Sequence, residues 1–418
     1  MNRHKVGLED SMAEFDGISL SGIDGLTAGA VLYLQAPASR DLDIELASCA
    51  TVSTRSRSRA AVVTIPHATD AETALEESIE AAQIALDLWA IKGRMARALG
   101  DVEEEHIVWW VTEAEPTARI WAVADFNITM SASGTVRDRD GNVIPAPPPP
   151  PAEWHPSFRF FRIAQATTDL VDAFRNCYLA VESLLSTIEP IKLHADGRPA
   201  EGERVWLARA LGKAGSLVKL TDYASSGATR TPVEAIISDI YQATRLQTFH
   251  AKAGAPVSLP HETATREAVR DSLERLRRLY IDLAEAQFGM SPKGGGLTIK
   301  GFQGMTDGVL AKTTMYVSSG EVDESAGNSW PAPADAVSIP SKRDEDYEHD
   351  FFSATVGRVE VESLDPQAIR HIGFLLDDEV GLYHDLEGIL VVEGFGIAEI
   401  VIGIRGRNPR ALGTRYKS

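Results

Sequence analysis

Cysteine is scarce in this sequence. Two residues, Cys49 and Cys177, in 418 exclude a disulfide framework and suit a reducing compartment. Long apolar runs are missing too, since no stretch approaches the roughly 18 uninterrupted apolar residues of a membrane helix. The opening "MNRHKVGLED" has no apolar signal core. The expectation is therefore a cytoplasmic protein without membrane contact. Ten histidines are present, but no H-E-x-x-H and no close pair support a metal site. Asp138-x-Asp140-Gly141 lacks the later ligands of a calcium loop and reads as a turn. No metal or cofactor is expected.

Positive charge is also in short supply. Against 60 Asp and Glu stand 41 Lys and Arg, a net charge of −19, which argues against a protein that coats nucleic acid. The deficit is uneven. Residues 151–290 hold 17 basic and 17 acidic residues, so the flanks carry all of it. A polyanion would meet the middle region, or the last 14 residues "RGRNPRALGTRYKS". These place Arg405, Arg407, Arg410, Arg415 and Lys417 together without an acid. The plainer reading of that run is a solvated tail.

What is present is a globular composition, 44% apolar and 24% charged, over a length that suggests about three domains. Two breaks divide the chain. "PAPPPPPAE", Pro145 to Glu153, is a stiff polyproline spacer, and "SPKGGGL", Ser291 to Leu297, ends a helical stretch. The expected layout is an N-terminal mixed α/β domain (1–144), a linker (145–153), a helical bundle (154–290) and a C-terminal β-rich domain (297–418). The fold class is multidomain α+β.

In the first segment "AAVVTI" reads as a buried strand. Thr69-Asp70-Ala71-Glu72 opens a helix in a capping-box pattern, with Leu75, Ile79, Ala82, Leu86 and Trp89 on one stripe. "HIVWWV" and "TARIWAVADFNITM" read as strands, and Asp140-Gly141 as a hairpin turn. Arg55, Arg57 and Arg59 would share one face, a phosphate-facing ladder, if their segment were extended; the plainer reading is a solvated edge or loop. The last segment alternates as β-structure in "VLAKTTMYV", "ATVGRVEVESL", "GILVVEG" and "IAEIVIGI", interrupted by a polar loop from Ser318 to Ser341. It contains no metal spacing, nucleophile elbow or phosphate loop.

The middle segment is helical. From Phe158 to Ile188 apolar residues recur at three- and four-residue steps, predicting one long helix with Cys177 as a packing thiol. A second helix is expected from Glu203 to Leu220. A third opens at Thr231-Pro232-Val233-Glu234, where threonine cap, proline and glutamate agree. A fourth opens near Pro260-His261-Glu262 and runs to about Phe288. Together they suggest an up-down bundle.

The third helix ends in "YQATRLQTFHAK". A five-residue step on an α-helix turns about 140°, so Arg245 and His250 converge only if the helix loosens, and Gly254 and Pro256 lie just beyond. Arg245 extends an apolar row. Glu182 extends another, after Phe174 and Tyr178. Charged groups on such rows are costly unless paired or used, so the two are expected to meet. Arg175 and Asn176, neighbours on the outer face of the long helix, are candidate supporting residues. Arginine's planar fork suits phosphate oxygens, and histidine transfers protons near neutral pH. Cleaving RNA through its own 2′-hydroxyl needs these groups and no metal.

The bundle with R-x4-H late on a helix resembles HEPN domains. The stretch "WHPSFRFFRIAQATTDLVDAFRNCYLAVESLLS" with "GERVWLARAL" is most similar to the methylamine-utilisation MauJ type, over about Ala74 to Gln287. The resemblance implies a homodimer through the bundle, with Arg245 and His250 catalytic in a metal-independent ribonuclease that acts in defence or toxin-like regulation. Leu246 stands where active members usually carry a polar residue. The alternatives are a non-catalytic dimerisation scaffold that presents its β-domain to a protein partner, and a nucleotide-binding module.

Overall fold

The computed structural model describes residues 13–22, 25–112, 115–127, 139–140, 154–167, 169–225, 230–249, 263–289, 299–322, 330–349 and 351–407. The chain is a mixed α and β protein with two large sheets. It divides into two compact units, one of residues 1–128 with 297–408, the other chiefly of residues 129–296. The proline-rich linker, the Asp140-Gly141 turn, His250 and the residues after Arg407 lie wholly or partly outside the described residues. Among the described residues no helix is long and apolar enough to cross a membrane.

The first unit begins with β1 (Glu14–Phe15), β2 (Ile18–Ser19), β3 (Ser21–Gly22), β4 (Gly25–Leu26), β5 (Ala28–Tyr33), β6 (Leu42–Glu45), β7 (Thr51–Thr54) and β8 (Ala60–Ile65). Helix α1 (Ala71–Ile91), β9 (Glu105–Val111) and β10 (Pro116–Asn127) follow. The helical unit holds α2 (Pro156–Ala166), α3 (Leu170–Ile188), α4 (Glu203–Ala214), α5 (Pro232–Ile236), α6 (Leu246–Phe249) and α7 (Thr263–Phe288). The chain then returns to the first unit through α8 (Ile299–Leu310), β11 (Thr313–Ser318), β12 (Val337–Ile339), β13 (Ser341–His349), β14 (Phe352–Glu360), β15 (Ala368–Leu376), β16 (Glu379–Val391) and β17 (Ile397–Arg407).

The N-terminal and C-terminal segments are not separate domains. They share a nine-stranded sheet, β13-β14-β17-β10-β9-β5-β8-β7-β6, and a six-stranded one, β12-β11-β15-β16-β1-β2. The join is a parallel ladder in which Thr117 to Asn127 lie opposite Ile397 to Arg407. Each of these strands alone alternates well enough to suggest its own sheet, and only pairing at long range unites them.

Side-chain alternation builds three layers in this unit. Val31, Tyr33, Val62, Ile107, Trp109, Ile120 and Ile400 point from the nine-stranded sheet onto Phe15, Met315, Ile372 and Leu390 of the six-stranded sheet. On the opposite face Ala30, Leu32, Val63 and Val108 pack beneath α1. That helix opens where expected, with the Asp70 carboxylate accepting from the Thr73 N–H at 2.8 Å. Ile79, Ala82, Leu86 and Trp89 are buried along its stripe. The segment from Arg55 to Arg59 is a turn rather than a ladder, with Arg57 at φ +71°. Arg55 pairs with Asp43, and Arg59 with Glu105 and Glu387.

In the helical unit the long helix breaks in two. Thr167 is extended, and Asp169 caps α3 by accepting from the Asp172 N–H at 2.7 Å. The apolar rows run through the break, which hid it, and the aspartate cap was the signal. Thr231 and Glu234 form the capping box foreseen for α5. The second helix stops at Ala214, short of Leu220. Its packing partners and those of α7 enclose Phe174, Cys177, Leu184, Trp206, Ile240 and Leu283. Burial pushes the Cys177 thiol up to about 12, as befits a packing residue. Helix α8 takes in Val309 and Leu310, the first two residues of the expected strand "VLAKTTMYV", whose strand begins only at Thr313.

Asp101, ahead of β9, is buried, and desolvation raises its carboxyl from 3.8 to about 6, with Glu103 adding to the effect. The raised value means that the fold favours the neutral acid. That contribution is full below 3.8 and is lost as pH rises through about 6. Asp101→Asn keeps an acceptor for the Glu103 N–H. It is expected to raise stability at pH 7 by up to about 3 kcal/mol and to flatten the profile from about pH 4 to 6. Denaturant melts across that range measure it. Equal stability of both proteins at neutral pH would mean that the carboxylate is solvated after all.

Candidate functional site

Arg245 closes an unusual piece of helix. Between α5 and α6, residues Ile237–Arg245 form a π-helical stretch in which the Leu246 N–H reaches back to the Tyr241 carbonyl. Such widening is uncommon and tends to mark functional sites. Side chains help to sustain it. The Thr244 hydroxyl donates to the Asp239 carbonyl at 3.0 Å and lies 2.8 Å from the Ser272 hydroxyl of α7. The widening precedes Arg245, whereas Leu246–Phe249, between Arg245 and His250 where loosening was expected, is α-helical. His250 lies outside the described residues, so its distance from Arg245 stands as a sequence-based expectation.

Three elements converge on the guanidinium. Helix α3 supplies Tyr178 and Glu182 one turn apart, α4 supplies Glu203 from its first turn, and the π stretch supplies Tyr241. The Arg245 guanidinium stands 5.1 Å from the Tyr241 ring centre and 5.6 Å from that of Tyr178. Its ion pair is with Glu203, at 3.0 Å, with the two side chains 17% and 33% exposed. Both tyrosines also donate to Glu203, Tyr241 at 3.1 Å and Tyr178 at 3.4 Å. The guanidinium is thus held on two aromatic faces and one carboxylate, sheltered but still reachable.

The meeting of Arg245 with Glu182 needs correction. The described ion pair of Arg245 is with Glu203, in the first turn of α4, and not with Glu182. Glu182 stays half-buried beside the pair. Burial raises its carboxyl above the ordinary range, Glu203 raises it further, and Arg245 opposes both. Glu203 was legible only as a helix start. Its signal was an acid at the N-terminus of a helix, where a carboxylate is usual for local reasons.

The proposed supporting pair divides. The Arg175 guanidinium donates to the Thr248 carbonyl at 2.6 Å and to Asp172 at 3.2 Å, so α3 grips the end of the R-x4-H helix. Asn176 instead donates to the Asp172 carbonyl one turn back at 2.8 Å and serves its own helix. Leu246 is 36% exposed. On another face of the π stretch a groove of about 800 Å³ is lined by Arg204, Val205, Arg230, Val233, Ile237 and Gln242.

Comparison with family models, with curated proteins and with solved structures gives no match for this chain. The fold and the cluster around Arg245 define a mixed α and β protein with a charged, aromatic-lined site in its helical unit.

The two acids of this cluster should respond oppositely to neutralisation. The raised carboxyl of Glu182 gives stability that is present below the ordinary carboxylate range and lost as pH rises through its shifted value. Glu182→Gln is expected to raise the melting temperature at neutral pH and to have no effect in acid. Glu203→Gln removes the partner of Arg245 and is expected to cost about 1 kcal/mol, the pair being partly solvent-screened. Thermal melts of both variants test this, and the same sign for both would contradict the assignment.

Proposed function

We propose that the helical unit is a metal-independent HEPN-type ribonuclease that works as a homodimer, with Arg245 and His250 as its catalytic residues. The observation that carries this reading is the double hold of α3 on the R-x4-H helix, through Tyr178 at Arg245 and through Arg175 at the Thr248 carbonyl. A helix held at two points of its motif presents a preorganised arginine, and preorganisation is what phosphate chemistry asks of a protein.

In the reaction His250 takes the proton of the RNA 2′-hydroxyl. The 2′-oxygen attacks the adjacent phosphorus, and the bond from phosphorus to the 5′-oxygen breaks. The leaving oxygen gains a proton, and a 2′,3′-cyclic phosphate remains. Arg245 stabilises the crowded phosphorane while Glu203 and the two tyrosine faces orient its fork. Across a two-fold axis a second His250 serves the other proton transfer. Arg204 and Arg230 beside the same helix offer cations to the flanking backbone. A role in defence or toxin-like RNA damage follows by analogy with the HEPN resemblance.

A second reading, a non-catalytic scaffold or nucleotide-binding module, is favoured by one observation. Glu203 already neutralises Arg245, and Glu182 adds acid rather than base to its surroundings. Purified protein in EDTA should cleave a mixed RNA pool and leave 2′,3′-cyclic ends, while His250→Ala keeps the fold and the dimer and loses cleavage by about 100-fold or more. Undiminished cleavage by His250→Ala would overturn the ribonuclease reading. A parent protein inert towards RNA, whose Arg245→Ala variant is only less stable, would leave the scaffold.

A further inference from the structure

The first unit contains a cavity that the ribonuclease reading does not use. It lies on the helix-side face of the nine-stranded sheet, over β13, β14, β17 and β10, and measures about 710 Å³. That is a small-molecule size. Strand register arranges its floor in rows, since Arg358, Glu399 and Arg119 stand side by side, as do Lys342, Val356, Val401 and Trp121. Glu399 is only 3% exposed and is fully engaged, accepting from Arg119 Nε at 2.5 Å and Arg358 Nε at 2.7 Å. A buried carboxylate held this way fixes two arginines at one end of the groove.

The edge strand builds the wall. Between the pairs Asp344–Ala354 and His349–Phe352, four residues of β13 face one of β14. This bulge re-aims a side chain. It carries Tyr347 over the sheet, where the ring meets Trp121 edge-on at 5.2 Å, and Trp121 in turn stacks near Phe352 at 6.2 Å. Gly403 makes room for this, because a Cβ there would lie 2.5 Å from the Phe352 ring.

Charge differs along the rim. Arg358, with its side chain 69% exposed, and exposed Lys342 lie towards one end. Asp344 and exposed Asp346 lie towards the other. Phosphate ligands suit the first end and are repelled by the second. A ligand with a carboxylate and an ammonium satisfies both, and an apolar group on the carbon that joins them lies against Val356 and Tyr347. We propose that the groove between the Arg358–Glu399–Arg119 row and the bulge of β13 binds a small zwitterion, an α-amino acid with an aromatic side chain. Arg358 and Lys342 take its carboxylate, Asp344 and Asp346 its ammonium, and Tyr347 its ring.

The test is calorimetric titration of the full chain with L-phenylalanine, N-acetylphenylalanine, phenylalanine amide and adenosine monophosphate. Phenylalanine is expected to bind. Removing either charge of the ligand should weaken binding by about tenfold or more. Lys342→Ala and Tyr347→Ala should do the same while melting like the parent. No heat with phenylalanine up to about 10 mM, equal affinity for the blocked forms, or preference for the nucleotide would each overturn the proposal. So would full affinity in both variants.

Discussion

The parallel ladder between β10 and β17 is the pairing on which the first unit depends. It brings together two strands separated in sequence by the whole helical unit, and β17 continues outward through β14 to β13. Bringing distant segments together has a loop-closure cost that grows only slowly with length. Burial offsets it here. Ala118, Ile120 and Ala122 lie in one core with Ala398, Ile400 and Ile402. The other face of the same ladder carries the ion pairs of Arg119 with Glu399 and of Arg405 with Asp125. One register therefore fixes an apolar core on one side and an ordered row of charges on the other. A slip by one residue would exchange the two faces.

Helix α3 has the comparable position in the helical unit. Its apolar stripe is buried against α2, α4 and α7, so its rotation is fixed. Tyr178 and Glu182 then fall towards α4 and the π stretch, and Arg175 towards Thr248. The π stretch has a cause of the same kind. The Thr244 hydroxyl occupies the Asp239 carbonyl and meets Ser272, so side-chain hydrogen bonds compete with regular helical bonding. Arg245 owes its position to this local competition as much as to the apolar row that it extends.

What was legible depended on the range of the interaction. The strand "AAVVTI", the stripe of α1, the start of α5 at Thr231 and the burial of Cys177 are local matters of period, cap and composition, and they stand as read. The break at Thr167 was misread because a continuous apolar stripe outweighed one capping aspartate. The period-two spacing of Arg55, Arg57 and Arg59 left both an extended ladder and a solvated loop open, and the left-handed conformation of Arg57 makes it a turn.

By itself the sequence determined the elements, their buried faces and the presence of an arginine on an apolar row that required a partner. Those properties follow from side-chain period, helix-end chemistry and the cost of a buried charge. Only the tertiary structure decided that the two ends of the chain share their sheets, that the partner is Glu203 rather than Glu182, and that Tyr347 overhangs the Arg119–Glu399–Arg358 row. Each of these depends on which distant backbone comes alongside. Hydrogen-bond partners between strands are interchangeable in chemistry, so register and pairing are settled by the packing of the whole unit.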